Sequence, residues 1–382
     1  MARASDLGVY RMTGNPNIAQ LSQHVGIWSR LINPNNPRRM AEKNQEPVSI
    51  AAPEGASIMA NAGLENKPER GLTAVTPEKD AAFPSKDEPR VENGQPSDSA
   101  EAAPGPFWPE TASDHPLTKF YDAFEALVKE AAYNEVYGIE LSKSNPFLTK
   151  LILQKFLRAN QNDLDLARGQ LLETLKWRKE FNPTKAAGES FERSKFEGLG
   201  YILKVEGVPE SPNAADIVTF NIYGAVKDNK ATFGDLDAFL RWRVGLMEKS
   251  IQALNLSSAT TPIPDLGQGP DPYQGFQIHD YLQVSFLRRD PLVKAATSKT
   301  IDILGKHYPE TLSRKFFVNV PVVMGWVYTA MKMVVAKETA KKFTVLSYGK
   351  ELAGELGKGV PKEYGGDKGS LKEVGEAVKF VD

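Results

Sequence analysis

The run His279-Asp280-Tyr281 holds the residues best suited to chemistry in this 382-residue chain. The surrounding stretch 277–285 reads as a strand, so His279 and Tyr281 share one face and Asp280 lies on the other. If the shared face lines an apolar pocket, an imidazole and a phenol sit inside it. Each then needs a partner, because burying unpaired polar groups costs free energy. Two chemistries fit. One is a structural hydrogen-bonded pair, or a polar grip on a lipid head group. The other is iron: a tyrosine phenolate can be the axial ligand of haem iron, and a neighbouring cation would hold the phenol's pKa down. Acid–base work by His279 with Asp280 is disfavoured, since adjacent strand residues point to opposite faces.

Little else in the chain competes. No Gly-x-x-x-x-Gly-Lys-Ser/Thr loop, His-Glu-x-x-His pair or Gly-x-Ser-x-Gly elbow occurs. The histidines His24, His115, His279 and His307 are too scattered for an obvious multi-histidine metal site. The chain has no cysteine, which removes disulfides, thiolate nucleophiles and zinc–thiolate sites and fits a reducing compartment. A net charge of -1 argues against nucleic acid as a partner. No apolar run reaches the roughly 18 residues of a spanning helix, and the N-terminus lacks an apolar signal core. The default expectation from these features is a cytoplasmic protein that touches membranes peripherally; that it is a monomer and not an enzyme is expected as well.

The elements that must position His279 and Tyr281 follow from hydrophobic spacing. Residues 1–112 read as a disordered tail, rich in Pro, Glu, Ala, Ser and Gly between Asn44 and Pro109. One short helix is expected over 20–32, from Leu21, Val25, Ile27, Trp28 and Leu31. Residues 113–197 read as a small helical subdomain of three helices without intervening strands. Phe120, Phe124, Leu127 and Ala131 mark the first helix. Leu148, Leu151, Ile152 and Phe156 mark the second, and Leu164, Ala167, Leu171 and Leu175 the third. Beyond Gly198, strands over 201–205, 217–222, 277–285, 315–320 and 343–346 alternate with helices over 233–254, 291–306 and 324–337. That alternation implies an α/β domain over 198–370 with a largely parallel sheet flanked by helices. Residues 371–382 remain as a C-terminal tail.

Several short motifs in this order resemble the CRAL-TRIO family. They are Tyr308-Pro309-Glu310, Asn319-Val320-Pro321, Thr339 with Lys342-Phe343, and Glu363-Tyr364-Gly365-Gly366. Phe156-Leu157-Arg158-Ala159 and Trp177-Arg178 match the family's N-terminal helices, and the resemblance covers about 118–368. It implies a lipid-binding domain holding acyl chains in an apolar cavity, where each buried methylene contributes about 0.8 kcal/mol. It also implies a mobile gate over Val322 to Ala336, which carries Met324, Trp326 and Met331. The expected activity is phosphatidylinositol binding and transfer between membranes, with an influence on phosphoinositide levels. The expected place is cytoplasmic, peripheral on endoplasmic reticulum or other intracellular membranes.

Where the family usually carries Asp-Leu-x-Gly, this chain has Asp280-Tyr281-Leu282-Gln283. That departure, and the run Arg241 to Ser250, resemble a haem-binding subgroup of the fungal phosphatidylinositol-transfer type. The resemblance implies haem b as cofactor, Tyr281 as the metal ligand, His279 as its neighbour, and Arg243 and Lys315 as cations near the ligand or its propionates. A second tyrosine of the subgroup falls at Asn160 here. By residue type alone, Arg243 reads as a solvated helix face and Lys315 as a strand-end surface lysine. Three functions stand open: lipid transfer, haem handling with little transfer, and a scaffold with a passive cavity.

Overall fold

The structure is a computed structural model, and it describes residues 105–284, 290–321 and 342–382. Local sequence sets the first three helices. His115 caps α1 (Pro116–Ala131), with Pro116 at the first helical position, where its missing N–H costs nothing. Pro146 opens α2 (Pro146–Ala159) in the same way. The Asp163 carboxylate caps α3 (Leu164–Phe181), and Asn182 in left-handed conformation ends it. Phe120, Phe124, Ile152, Phe156, Leu171 and Leu175 close their shared core. The three helices are as expected, but strands do intervene. Tyr137 and Gly138, both at positive φ, turn a hairpin that pairs Glu135–Val136 with Ile139–Glu140. Alternation over two residues per strand is too short to read from sequence.

Five strands form the main sheet: β1 (Gly200–Glu206), β2 (Ala215–Ile222), β3 (Gly275–Asp280), β4 (Leu312–Val318) and β5 (Phe343–Val345). They lie in that order; β1 runs antiparallel to β2, and the remaining pairs are parallel. The α/β class with a largely parallel sheet flanked by helices is thus met. All six residues of the central strand β3 are buried, as a strand covered on both faces requires.

The two faces differ. Val218, Phe220, Phe276, Ile278, Phe316 and Val318 pack on the C-terminal segment through Leu352, Leu356, Val360 and Tyr364. On the other side, Ile202 and Ile217 meet Leu240, Val244 and Leu246 of α4 (Leu236–Ala253), with Ile303 of α5 (Pro291–His307). Gly245 lets α4 approach the short helix Pro183–Gly188, since a Cβ there would come within 2.7 Å of Ala186 O.

Residues 371–382, expected as a tail, carry a helical turn at Leu371–Val374 and a strand at Lys379–Val381. That strand pairs in parallel with Ser190–Glu192. Long-range pairing fixes it, which a three-residue pattern does not reveal. The expected gate over Val322 to Ala336, most of the expected tail 1–112, and the helix over 20–32 lie outside the described residues.

Candidate functional site

Parallel register builds the site. Asn221, His279 and Phe317 align across β2, β3 and β4, while Gln277 aligns with Lys315 and Lys315 with Phe343. β3 ends at Asp280, shorter than the expected 277–285. Tyr281 nevertheless keeps the ladder, donating its N–H to Val318 O at 3.0 Å. Its ring therefore falls on the same side as His279, as the strand alternation predicts. Tyr223, in the turn after β2, lies 5.1 Å from the Tyr281 ring and 5.6 Å from the His279 ring, centre to centre. Phe317 lies 5.5 Å from His279 and 6.3 Å from Tyr281. An aromatic row, Tyr223, Tyr281, Phe317 and Phe343, thus crosses the sheet with the imidazole behind it.

Two cations share this face. Arg243 projects from α4 and is 6% exposed, so it is not on a solvated helix face. Its Nη1 is buried with no hydrogen-bond partner among the described residues. Lys315 is partly buried on β4, and Phe343 is its neighbour, 6.0 Å from Nζ to the ring centre. Burial lowers the Lys315 ammonium to about 8, and Arg243 adds repulsion. Burial also lowers the Arg243 guanidinium, while Tyr223 and Tyr308 act in the opposite direction. His279 is held well below the ordinary imidazole range by burial first, then by Lys315 and Arg243, so it is neutral at pH 7. The structure thus brings together all four residues picked out in the sequence: Arg243, His279, Tyr281 and Lys315.

The phenols do not behave as expected. Burial pushes Tyr281 well above its usual range, with Tyr223 adding to the rise. The cation expected to hold Tyr281 down acts instead on Tyr223, where burial still prevails over Arg243 and raises the group to about 12. Both phenols are protonated unless a ligand draws the proton off. Sequence reasoning missed Tyr223 because it lies on a different strand end, 56 residues before its hydrogen-bond partner His279. It missed Gln277 as well, which faces His279 at 3.4 Å.

Behind the site, other motifs resolve into connectors. The Asp280 carboxylate accepts from Tyr364 OH (2.7 Å), Asn319 Nδ2 (2.7 Å) and Leu282 N (2.8 Å). Asn319 Oδ1 in turn accepts from Gly349 N. One carboxylate therefore ties the ends of β3 and β4 to the closing Glu363-Tyr364-Gly365-Gly366 run, and it faces away from His279. At the junction with the helices, the Lys155 ammonium is completely buried and donates to Asp271 Oδ2 (2.7 Å), Tyr273 O (2.9 Å) and Glu310 O (2.9 Å). Arg178 is bridged by Glu135 and Glu248, and Tyr308 OH donates to Glu248 at 2.7 Å.

Comparison with known proteins places these residues in context. A model of the CRAL/TRIO domain matches residues 218–366. The chain is 65% identical over 339 residues to the phosphatidylinositol transfer protein SFH5 of Phaeosphaeria nodorum, a match covering 89% of this chain and 98% of that protein. It is 48% identical over 290 residues to the protein of the same name from Cryptococcus neoformans var. neoformans serotype D, covering 74% and 97%. Among solved structures, the crystal structure of Sfh5 superposes with a TM-score of 0.57 at 30% identity, covering 70% of this chain and 93% of that one.

Proposed function

The chain belongs to the CRAL/TRIO domain family, and on that premise we propose that it binds phosphatidylinositol and carries it between membranes. Its similarity to fungal phosphatidylinositol transfer proteins supports the reading, with 65% identity across nearly the whole of one of them. The observation that carries it at the site is the buried Arg243, whose Nη1 finds no partner among the described residues, with Lys315 on the same face. An uncompensated buried cation is costly. An anionic group on a bound molecule relieves that cost, and a phosphodiester meets both cations at once. Acyl chains would add about 0.8 kcal/mol per buried methylene. Extraction, shielding and release need no covalent step. No helix among the described residues is long and apolar enough to cross a membrane, so the protein would meet bilayers from one side. It would do so as a monomer, peripherally on the endoplasmic reticulum or other intracellular membranes, and would shift phosphoinositide levels by supplying substrate. The test is transfer of labelled phosphatidylinositol between vesicles. Wild type moves it, and Arg243→Met slows transfer by about tenfold or more, the scale of one charge-assisted contact. Unchanged transfer by the variant defeats the assignment.

The same face supports a second reading, haem b. Its donor set fits: a phenol, Tyr281, stands in an aromatic row that suits a flat macrocycle, and the cations Arg243 and Lys315 suit propionates. When bound, haem would supply a ferric Lewis acid able to hold a phenolate. Tyr281 would be the ligand and would have to give up a proton that burial otherwise retains. Asn160 offers no phenol. Its amide donates instead to Phe156 O and Gln170 Oε1. Purified protein decides between the readings: a Soret band lost on Tyr281→Phe supports haem, and a colourless sample active in transfer supports the lipid alone.

A further inference from the structure

Tyr281 heads a tight turn at the carboxyl end of β3. Val284 N donates to Tyr281 O at 3.0 Å, and Gln283, at φ +66°, supplies the left-handed step that closes the turn. On the side of the sheet away from the Tyr281 ring, the buried Asp280 carboxylate accepts three hydrogen bonds. Its Oδ1 accepts from Leu282 N (2.8 Å), a bond across two residues that fixes the one between them. The same oxygen accepts from Asn319 Nδ2 (2.7 Å), and Oδ2 accepts from Tyr364 OH (2.7 Å). Asn319 stands at φ +58° directly after Val318, whose carbonyl receives the Tyr281 N–H at 3.0 Å. A closed ring results, running from the Asp280 carboxylate through the Asn319 amide and the Val318 carbonyl to the Tyr281 N–H and back. The neighbouring turn rests on it. Gly224 follows Tyr223 after β2, and a Cβ there would collide with Leu282 O. The backbone bearing Tyr223 therefore lies directly on the turn that Asp280 fixes, and the two phenol rings stand 5.1 Å apart.

We infer that Asp280 is a positioning residue of the ligand face: from behind the sheet it sets where the phenols of Tyr281 and Tyr223 stand. The inference rests on the reading of the Tyr281 side of the sheet as the ligand site. The two carboxylate oxygens divide the work. Oδ1 serves Leu282 and Asn319, the bonds of the ring around Tyr281. Oδ2 serves Tyr364, which anchors the closing run 363–366 and packs its ring on Phe220 at 5.0 Å. Losing the Oδ2 bond alone costs stability and leaves the turn in place, whereas losing both oxygens frees the turn. A carboxamide at 280 keeps an oxygen on Leu282 and Asn319, and the Tyr364 hydroxyl can rotate to accept from its NH2. A methyl group at 280 offers no acceptor, so the Leu282 N–H and the Asn319 NH2 both lose their partner.

The test uses the full chain carrying 3-fluorotyrosine. Tyr223→Phe and Tyr281→Phe assign two of its twelve tyrosine fluorine lines in unloaded protein. In Asp280→Ala both lines shift or broaden. In Asp280→Asn and Tyr364→Phe they keep their wild-type positions, although Tyr364→Phe lowers the urea midpoint. Ligand uptake follows the same split, with labelled phosphatidylinositol in vesicles and haemin in solution as the probes. Whichever probe the wild type takes up, Asp280→Ala binds it about tenfold more weakly, while Asp280→Asn and Tyr364→Phe stay within about threefold of wild type. If Asp280→Ala fails to fold, Asn319→Gly serves, because glycine suits the +58° backbone and only the amide is removed; it moves the same two lines and weakens the same uptake. Fluorine lines unmoved in the variant that breaks the ring overturn the inference. So does uptake kept at wild-type strength in that variant, or uptake that falls equally in Tyr364→Phe. If the wild type takes up neither probe, the ligand reading fails by itself, and the fluorine lines still decide whether Asp280 sets the phenols.

Discussion

Two regions of this molecule bury charge, and they do so in opposite ways. At the junction between the helical subdomain and the sheet, every buried cation has partners. Lys155 makes three hydrogen bonds, one to Asp271; Arg178 is held by Glu135 and Glu248; Arg158 donates to the carbonyls of Pro264, Asp265 and Gly269. On the α4 side of the sheet, Arg243 keeps a buried nitrogen without a partner among the described residues, and Lys315 titrates low, through burial first and the nearby Arg243 second. The first arrangement is complete in the folded chain. On the proposed reading, the anion of a bound molecule completes the second. Burial by itself therefore says little about function here; what separates the regions is whether the described residues supply the counter-charge.

The largest expected effect is at the junction. Asp271→Ala leaves the fully buried Lys155 without its carboxylate and should cost about 3–5 kcal/mol in urea unfolding. A loss under 1 kcal/mol would erase the contrast from that side. Glu248→Gln weakens the clamp on Arg178 and the acceptor for Tyr308 OH, and a loss of about 1.5–3 kcal/mol is expected. Arg243→Met should act with the opposite sign. Unloaded protein is unchanged or gains up to about 1–3 kcal/mol, because an unsatisfied buried group is removed; clear destabilisation of the unloaded fold would mean that Arg243 is structurally paired.

The smallest effect concerns pH. Folded Lys315 titrates at about 8, below its ordinary 10.5. Between those values the unfolded chain holds the proton and the folded chain does not, so unfolding free energy rises with pH across that window. The rise should flatten in Lys315→Met, as measured by denaturant midpoints at pH 7.5 and 9.5. Equal slopes in both proteins would show that Lys315 is not in the environment described.

Much of this architecture is legible in the sequence because it rests on local rules. Helix spacing in Phe120, Phe124 and Leu127, Pro at the first turns of α1, α2 and α5, and apolar runs in β2 and β3 place most of the main elements. The strand alternation also places His279 and Tyr281 on one face. What escaped depends on distant partners. The strand Lys379–Val381 exists because Ser190–Glu192 receives it. Tyr223 joins His279 because β2 and β3 pair in a register that no local pattern states. The resemblance motifs were visible, yet their roles were not. Asp280, Asn319 and Tyr364 proved to be one hydrogen-bonded node, and the Tyr308-Pro309-Glu310 run proved to be part of the charged junction. Tyr281 was legible as a candidate ligand. Its raised pKa was not, because the burial that raises it, with Tyr223 adding to the rise, exists only in the folded chain.

Identifying the molecule that co-purifies with the protein tests the central claim most directly. Native mass spectrometry of the full chain, followed by extraction, should find an anionic amphiphile on wild type, either phosphatidylinositol or haem. Arg243→Met should lose most of that load while remaining folded. A variant that retains the same ligand at the same occupancy, or a wild type that carries only neutral lipid, would contradict the assignment of Arg243 and Lys315 as the counter-charge for a bound anion.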